Sequence, residues 1–309
     1  MKTLIIGSIA LDDVKTPYGE VKKALGGSAV YSSLAASYFT QAGIVGVVGK
    51  DFPKKNEQLL LKHNIKLTGL TREPGYTFHW QGYYEGDMSS AHTLNTQLNV
   101  FGKFNPTIPN EFTNTPWVFL ANISPELQKQ VLKQLKKPRL VLLDTMNYWI
   151  TNKKAELLSV IKDVDILIIN QEEAQALTGE LNLIQAANLI KRQGPQGVII
   201  KKGEHGALVF WQEKIGIIPG FPLGRVKDPT GAGDTFAGGF IGVMAQQARI
   251  NFNNIYQAAF IGTIMAYFTI EDFSVKSLVK LKLPEFKLRC KKLRAMVKSS
   301  DFIPEIIQK

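Results

Sequence analysis

The sequence predicts an α/β fold: a central, mostly parallel sheet with helices on both faces, carrying a small β-sheet lid. Three observations predict it. Short apolar runs alternate with helix-like stretches along most of the chain, as parallel strands require, because each must be joined to the next by a crossover. The runs are apolar at consecutive rather than alternate positions, so both faces of the sheet are covered. Residues 76–101, "YTFHWQGYYEGDMSSAHTLNTQLNVF", break the pattern by alternating aromatic and polar residues, which marks antiparallel strands outside the main sheet.

The elements follow in order. "TLIIGSI", with a single lysine before it and Asp12 and Asp13 close behind it, reads as a first strand rather than a signal peptide. The small-residue stretch 28–39 is a helix, "IVGVVG" a strand, and 54–63 a helix. After the aromatic flap come the strand "WVFLAN", a helix from about 125, the strand "RLVLLD", a helix over 153–162 and the strand "VDILIIN". Helices over 171–178 and 183–193 precede the strand "GVIIKKG". The glycine-rich run "KDPTGAGDTFAGGF", residues 227–240, lies between a strand and a helix that begins near Asp234. The tail "LPEFKLRCKKLRAMVK" reads as a helix with Phe286, Cys290, Leu293 and Val297 on one face and basic residues opposite. No fixed-period repeat or low-complexity linker divides the chain. Residues 1–309 therefore read as one domain with lid segments near 10–25 and 76–101.

Composition narrows the classes. The 309 residues are 45% apolar, ample for a buried core. No apolar run approaches the roughly 20 residues of a membrane helix, so no membrane association is expected. The single cysteine, Cys290, allows no intrachain disulfide, and a cytoplasmic setting is expected. The net charge of +11 is concentrated in the tail, where nine Lys and Arg residues stand against one acid, Glu285, between Lys276 and Lys298. Aromatic residues are not interleaved with these charges as single-strand binders require, so the tail reads as a solvated helix face and no nucleic-acid partner is expected. His63, His79, His92 and His205 show no zinc-ligand spacing.

The chemistry concentrates in residues 227–240. A glycine loop before a helix cradles phosphate with backbone N–H groups at the positive end of the helix dipole, yet Asp234 in its middle would repel phosphate. There is no G-x-x-x-x-G-K-[ST], and Phe236 occupies the third glycine position of a dinucleotide fingerprint. An acid beside an anion hole makes sense if an acceptor hydroxyl lies between them. The amides of Gly231, Ala232 and Gly233 would stabilise a phosphoryl group in flight, while Asp234 accepts the hydroxyl proton.

These residues carry a resemblance. "DPTGAGDTFAGGF" resembles the C-terminal motif of the ribokinase-like, PfkB-type carbohydrate kinases. "ALGGSAVYSSLAASYF" followed by "GIVGVVGKDF" is similar to the family's first motif, "NQEEAQALTG" to its Asn-x-x-Glu motif, and "IIKKGEHGA" to its nucleotide-side strand and turn. The similarity runs in order over nearly the whole chain, apart from the tail after about 275.

The resemblance implies a ribokinase-like three-layer α/β/α domain with a small lid. It implies Asp234 as base and Gly231, Ala232 and Gly233 as anion hole. It also implies a substrate site at Asp12, Gly26, Gly27, Ser28 and Tyr31, and an ATP groove at Asn170, Lys201, Gly203 and Gly206. Asn170 and Glu173 would organise magnesium through water, and Asp228 and Thr230 match positions that hold a potassium-type monovalent cation in some members. Ribokinase-type members carry asparagine at the positions of Ala10 and Tyr31, which puts free ribose in doubt, and many carry Thr at Lys201.

Simpler roles stand beside these. Asp12 could serve as a solvated turn, Asn170 and Glu173 as a helix cap, Tyr31 as core, and the glycines as close-packing positions. The sequence supports an ATP- and magnesium-dependent kinase acting on a hydroxyl of a small sugar or polyol. A nucleoside kinase of the same fold is the alternative. A silent regulatory relative acting through the basic tail is a further one. The aromatic flap, with Phe78, Trp80 and Tyr83, is expected to close over the substrate, and its edge offers a route to a homodimer.

Overall fold

The structure is a computed structural model that describes residues 1–297. Of the expected tail face, the Val297 side chain, like Lys298, lies outside the described residues.

The chain begins with β1 (Thr3–Ile6) and leaves the main body for β2 (Ala10–Thr16) and β3 (Gly19–Gly26). It returns through α1 (Ser28–Ser37), β4 (Ala42–Gly49), α2 (Lys54–Lys62) and β5 (Lys66–Glu73). A second excursion forms β6 (Phe78–Tyr83) and β7 (His92–Gln97). Regular alternation follows with β8 (Trp117–Leu120), α3 (Pro125–Gln134), β9 (Leu140–Asp144), α4 (Asn147–Asn152), α5 (Lys154–Ile161) and β10 (Ile166–Asn170). Next come α6 (Gln171–Thr178), α7 (Leu183–Lys191), β11 (Gly197–Lys201), β12 (Ala207–Trp211) and β13 (Lys214–Ile218). The chain closes with α8 (Ala232–Met244), α9 (Phe252–Thr269), α10 (Lys276–Val279) and α11 (Leu283–Val297).

The main sheet has nine strands in the order β13-β12-β11-β10-β9-β8-β1-β4-β5. It is parallel from β11 to β5, while β12 and β13 add an antiparallel edge. All eight residues of β4 are buried, as a strand covered on both faces requires. The core accordingly splits in two. Leu34, Phe240, Met265 and Leu293 belong to the side of α1, α8, α9 and α11, and Val131, Leu157 and Ile190 to the side of α3, α5 and α7.

The lid is a separate four-stranded sheet, β3-β2-β6-β7. Its outer pairs are antiparallel, with β6 and β7 forming the antiparallel pair expected of residues 76–101, while β6 runs parallel to β2. Parallel pairing follows because β2 and β6 both leave the body in the same direction. Asp51, in the Gly-x-Asp stretch after β4, accepts hydrogen bonds from the Thr77 N–H (2.7 Å) and hydroxyl (2.8 Å), anchoring the lid where β6 begins.

The glycines in the body of α8 divide into two tasks. Gly238 and Gly242 let α8 lie directly on α1, where an added Cβ at Gly238 would sit 2.6 Å from the Ser32 Cα. Gly239 meets Gly262 of α9 on the opposite face. α8 is thereby clamped between two neighbours, which fixes the position of its first turn. Gly238→Ala is expected to lower stability by about 1–3 kcal/mol through this overpacking. An unchanged Tm in thermal denaturation would show that the helices are not in close contact there.

The tail helix departs from its expected polarity at one residue. Arg289 is 9% exposed, lies 3.8 Å from the Phe268 ring and pairs with Glu271 (2.8 Å) and Glu285 (2.6 Å). A guanidinium can be buried when carboxylates and an aromatic face replace its water. Lys287, Lys291, Lys292 and Arg294 remain exposed.

Candidate active site

The carboxyl ends of the parallel strands and the inner face of the lid enclose a cavity of about 200 Å³. Ligands of open α/β sheets bind at this end, where loops can converge without breaking the sheet. From the body, Gly27, Ser28, Tyr31, Thr230, Gly231 and Asp234 reach it, and from the lid Asp12, Phe78, Trp80 and Tyr84.

Asp234 stands in the first turn of α8. Gly231 is the residue before that helix and holds a left-handed conformation (φ 77°), which an L side chain resists. The Tyr31 ring lies against it, so an added Cβ would overlap the ring. Tyr31 is only 2% exposed. It borders the cavity, and its ring also backs Gly231. The Ala232 N–H donates to the Pro229 carbonyl (3.2 Å) and is committed to the turn. Among the described residues, the Gly231 and Gly233 amides donate to no backbone carbonyl outside regular elements, as expected for the open N-terminus of a helix.

Burial pushes the Asp234 carboxyl up to about 7, helped by the charges of Asp144 and Glu173 and opposed by Lys201. The Lys201 ammonium is 3.5 Å from Asp144, and an added Cβ at Gly233 would lie 2.9 Å from it. Lys201 therefore extends from the end of β11 to the glycine turn. Burial lowers its pKa, but Asp144 and Glu173 outweigh that effect and keep the ammonium charged. Asp144, at the end of β9, is a candidate that the sequence analysis does not name, brought in by its pairing with Lys201. Its signal was an acid closing an otherwise apolar strand, "RLVLLD", at the sheet end where ligands bind.

Asp12 is buried at 6% exposure, on the cavity side of β2. Burial and the nearby charges of Asp228, Asp234 and Asp13 push its pKa up to about 8. Gly26 does not border the cavity. Its missing side chain makes room for the Asp12 carboxylate, since a Cβ there would overlap it. Gly27 (φ 96°) permits close approach of the Ser8 and Ala10 backbone. The Ser28 hydroxyl accepts from the Ser8 N–H (3.1 Å) and lies 3.1 Å from the Ser8 hydroxyl.

Because Asp12 is protonated more readily in the fold than in the unfolded chain, it withdraws stability as pH rises from about 4 toward 8. The stability of Asp12→Asn relative to wild type should therefore increase as pH rises from 5 to 8 in the absence of ligands. Thermal denaturation checks this, and a pH-independent difference would contradict it.

Asn170, Glu173, Gly203 and Gly206 lie outside the cavity lining, whereas Asp228 stands beside it. Asn170 and Glu173 form a reciprocal cap on α6. The Asn170 side chain accepts from the Glu173 N–H (2.8 Å), and Glu173 accepts from the Asn170 N–H (2.9 Å). The cap leaves the second Glu173 oxygen, and burial pushes that carboxyl up to about 7. Gly203 (φ 55°) and Gly206 (φ 86°) form the turn from β11 to β12. Asp228 accepts from the Thr230 N–H (3.0 Å) and the Ser274 N–H (3.1 Å), and burial raises its pKa. Tyr83 stacks on His92 at 4.8 Å and does not border the cavity. Tyr84, one residue on, lies there instead and accepts a hydrogen bond from Thr230 (3.2 Å).

Comparison with known proteins places this geometry. Residues 5–278 match the pfkB family carbohydrate kinase. A cytidine kinase from Thermococcus kodakarensis is 31% identical over 246 residues, covering 77% of this chain and 86% of that protein. Among solved structures, a nucleoside kinase from Burkholderia thailandensis in complex with inosine superimposes with TM-score 0.77 at 18% identity, over 95% of this chain and 99% of that one. A putative ribokinase II from E. coli in complex with ATP and Mg superimposes with TM-score 0.79 at 18% identity, over 94% and 99%. The chain belongs to the pfkB carbohydrate kinase family, and it is an ATP-dependent phosphotransferase acting on a sugar or nucleoside hydroxyl.

Proposed function

We propose that this member of the pfkB family phosphorylates a nucleoside in preference to a free sugar. The observation that carries the reading is the cavity's mixed lining, which sets the acids Asp12, on lid strand β2, and Asp234, on the body, beside the lid rings of Phe78, Trp80 and Tyr84. Acids suit the hydroxyls of a ribose, and aromatic faces suit a planar base. The similarity to a cytidine kinase over most of both chains supports the same choice.

In this reading Asp12 accepts hydrogen bonds from acceptor hydroxyls and holds the sugar. Asp234 takes the proton of the attacking hydroxyl as its oxygen bonds to the γ-phosphorus and the bond to ADP breaks. The Gly231 and Gly233 amides and the Lys201 ammonium stabilise the charge on the transferred group. Lys201 so placed serves the phosphate end of ATP, with Asn170, Gly203 and Gly206 bordering the nucleotide groove. Lid closure, secured by the Tyr84–Thr230 contact, excludes water that would otherwise compete as acceptor.

Magnesium fits this site as a companion of ATP. Among the described residues no three His, Cys, Asp or Glu side chains group to hold a metal, so the ion would be held by phosphates and water with Glu173 and Asn170 behind them. It would neutralise phosphate charge during transfer. Asp228 forms no ion pair among the described residues, which suits a monovalent cation near Thr230. We read residues 1–309 as one kinase domain with a lid, working in the cytoplasm. No helix among the described residues is long and apolar enough to cross a membrane. Strand β7 is exposed throughout, with Leu94 at 70%, and supports a homodimer through the lid.

A thermal-shift panel with a non-hydrolysable ATP analogue tests the acceptor class, since ligands stabilise by mass action. Nucleosides should raise Tm more than ribose, fructose or inositol at equal concentration. A larger shift with a free sugar would overturn the nucleoside reading.

A further inference from the structure

Asn122 lies just past β8, at the carboxyl end of the sheet, and its side chain borders the substrate cavity. The amide is held from behind. The Trp149 indole N–H donates to Asn122 Oδ1 at 2.8 Å, and Asn122 Nδ2 lies 3.1 Å from the Met146 sulfur. An indole nitrogen can only donate, so the amide oxygen must face it. Turning the amide over would set two donors against each other. A thioether is a weak acceptor, so an N–H of this amide remains to be satisfied by whatever fills the cavity.

The acids, serines and Trp80 of the cavity have different characters, while the Thr230 hydroxyl donates to Tyr84 (3.2 Å). Asp12 and Asp234, when ionised, only accept. The hydroxyls of Ser8 and Ser28 are engaged with each other (3.1 Å), and the Trp80 indole N–H donates to Thr93 at 3.2 Å. Asn122 therefore brings a fixed donor into a cavity whose acids require donors from the substrate. A ribose satisfies the acids with its hydroxyls. The partner that Asn122 lacks is a lone pair, such as a pyrimidine carbonyl or a ring nitrogen supplies.

We propose that Asn122 is the residue that reads the base, donating to a carbonyl or ring nitrogen of the nucleoside. Trp149 is its positioning residue, fixing which way the amide points. This rests on the nucleoside reading above and adds the polarity of the contact. A buried donor left unpaired costs binding energy, so a substrate of the same shape without an acceptor should be turned over less efficiently.

The test compares kcat/KM for cytidine with that for a phenyl C-riboside, which keeps the ribose and a flat ring but carries no ring acceptor. Wild type should prefer cytidine by on the order of 10–100-fold. Asn122→Leu should bring the two within about threefold by lowering the cytidine value alone, and its retained activity on the phenyl riboside certifies the fold. Asn122→Asp keeps an acceptor for Trp149 but offers no N–H, so it should lose the preference as well. Trp149→Phe frees the amide and should raise KM for cytidine with little change in kcat. If cytidine is phosphorylated but Asn122→Leu keeps the wild-type ratio, this assignment fails and the nucleoside reading stands. If wild type turns over a free sugar and neither riboside, the nucleoside reading fails and takes this assignment with it.

Discussion

Asp234→Asn is expected to lower kcat by on the order of 10²–10⁴, the range for losing a general base, while ATP binding and Tm hold. The change is isosteric, and the first turn of α8 stays clamped between α1 and α9 by its glycines. In wild type, kcat/KM should fall as pH drops through about 7, because the carboxyl must be ionised to accept a proton and its pKa is raised to that region. Steady-state kinetics from pH 5.5 to 9 check both points. A variant retaining more than half of wild-type turnover would remove Asp234 from the mechanism.

Lys201→Met should lower kcat by on the order of 10²–10³, comparable to deleting one donor from an oxyanion hole. It should also leave a signature that a packing defect would not. Lys201 lowers the Asp234 pKa and Asp144 raises it. The acid limb of the pH profile should therefore move to higher pH in Lys201→Met and to lower pH in Asp144→Asn. Methionine keeps most of the side chain's length and apolar contact, so the loss reports the charge. A Lys201→Met enzyme with wild-type kcat and an unmoved limb would show that the ammonium does not serve the transferred phosphoryl group.

Much of the molecule is visible in the sequence because its signals are local. The strand-helix alternation marks β8 to α7 within a few residues, and the glycine loop marks the start of α8. Other elements carry no such signal. α9 is buried over most of its 18 residues, so it shows no polar face and no helical stripe. β12 and β13 follow a turn whose Gly203 and Gly206 read as nucleotide-site glycines rather than as a strand-to-strand connection. The single helix expected over 153–162 is preceded by α4, a short turn that "NYW" does not announce.

The site divides in the same way. Asp234 and its glycine loop are contiguous and stand out. Asp144 and Asn122 reach the site only through the packing of separate strands, so their roles depend on contacts distant in sequence. Tyr31 carries a contact that its position in the motif does not announce. It borders the cavity, and its ring also fills the space beside Gly231 that the left-handed turn leaves open. Arg289 was counted among solvated charges because helical periodicity does not reveal a buried partner such as Glu271.

The most direct measurement is kcat/KM at saturating ATP across cytidine, inosine, adenosine, ribose, fructose and inositol, with the phosphorylated product identified by mass. The account predicts transfer of one phosphoryl group to a nucleoside, with the highest value belonging to a nucleoside and ribose among the poorest acceptors. The highest kcat/KM for ribose, or for any free sugar of the panel, would contradict it.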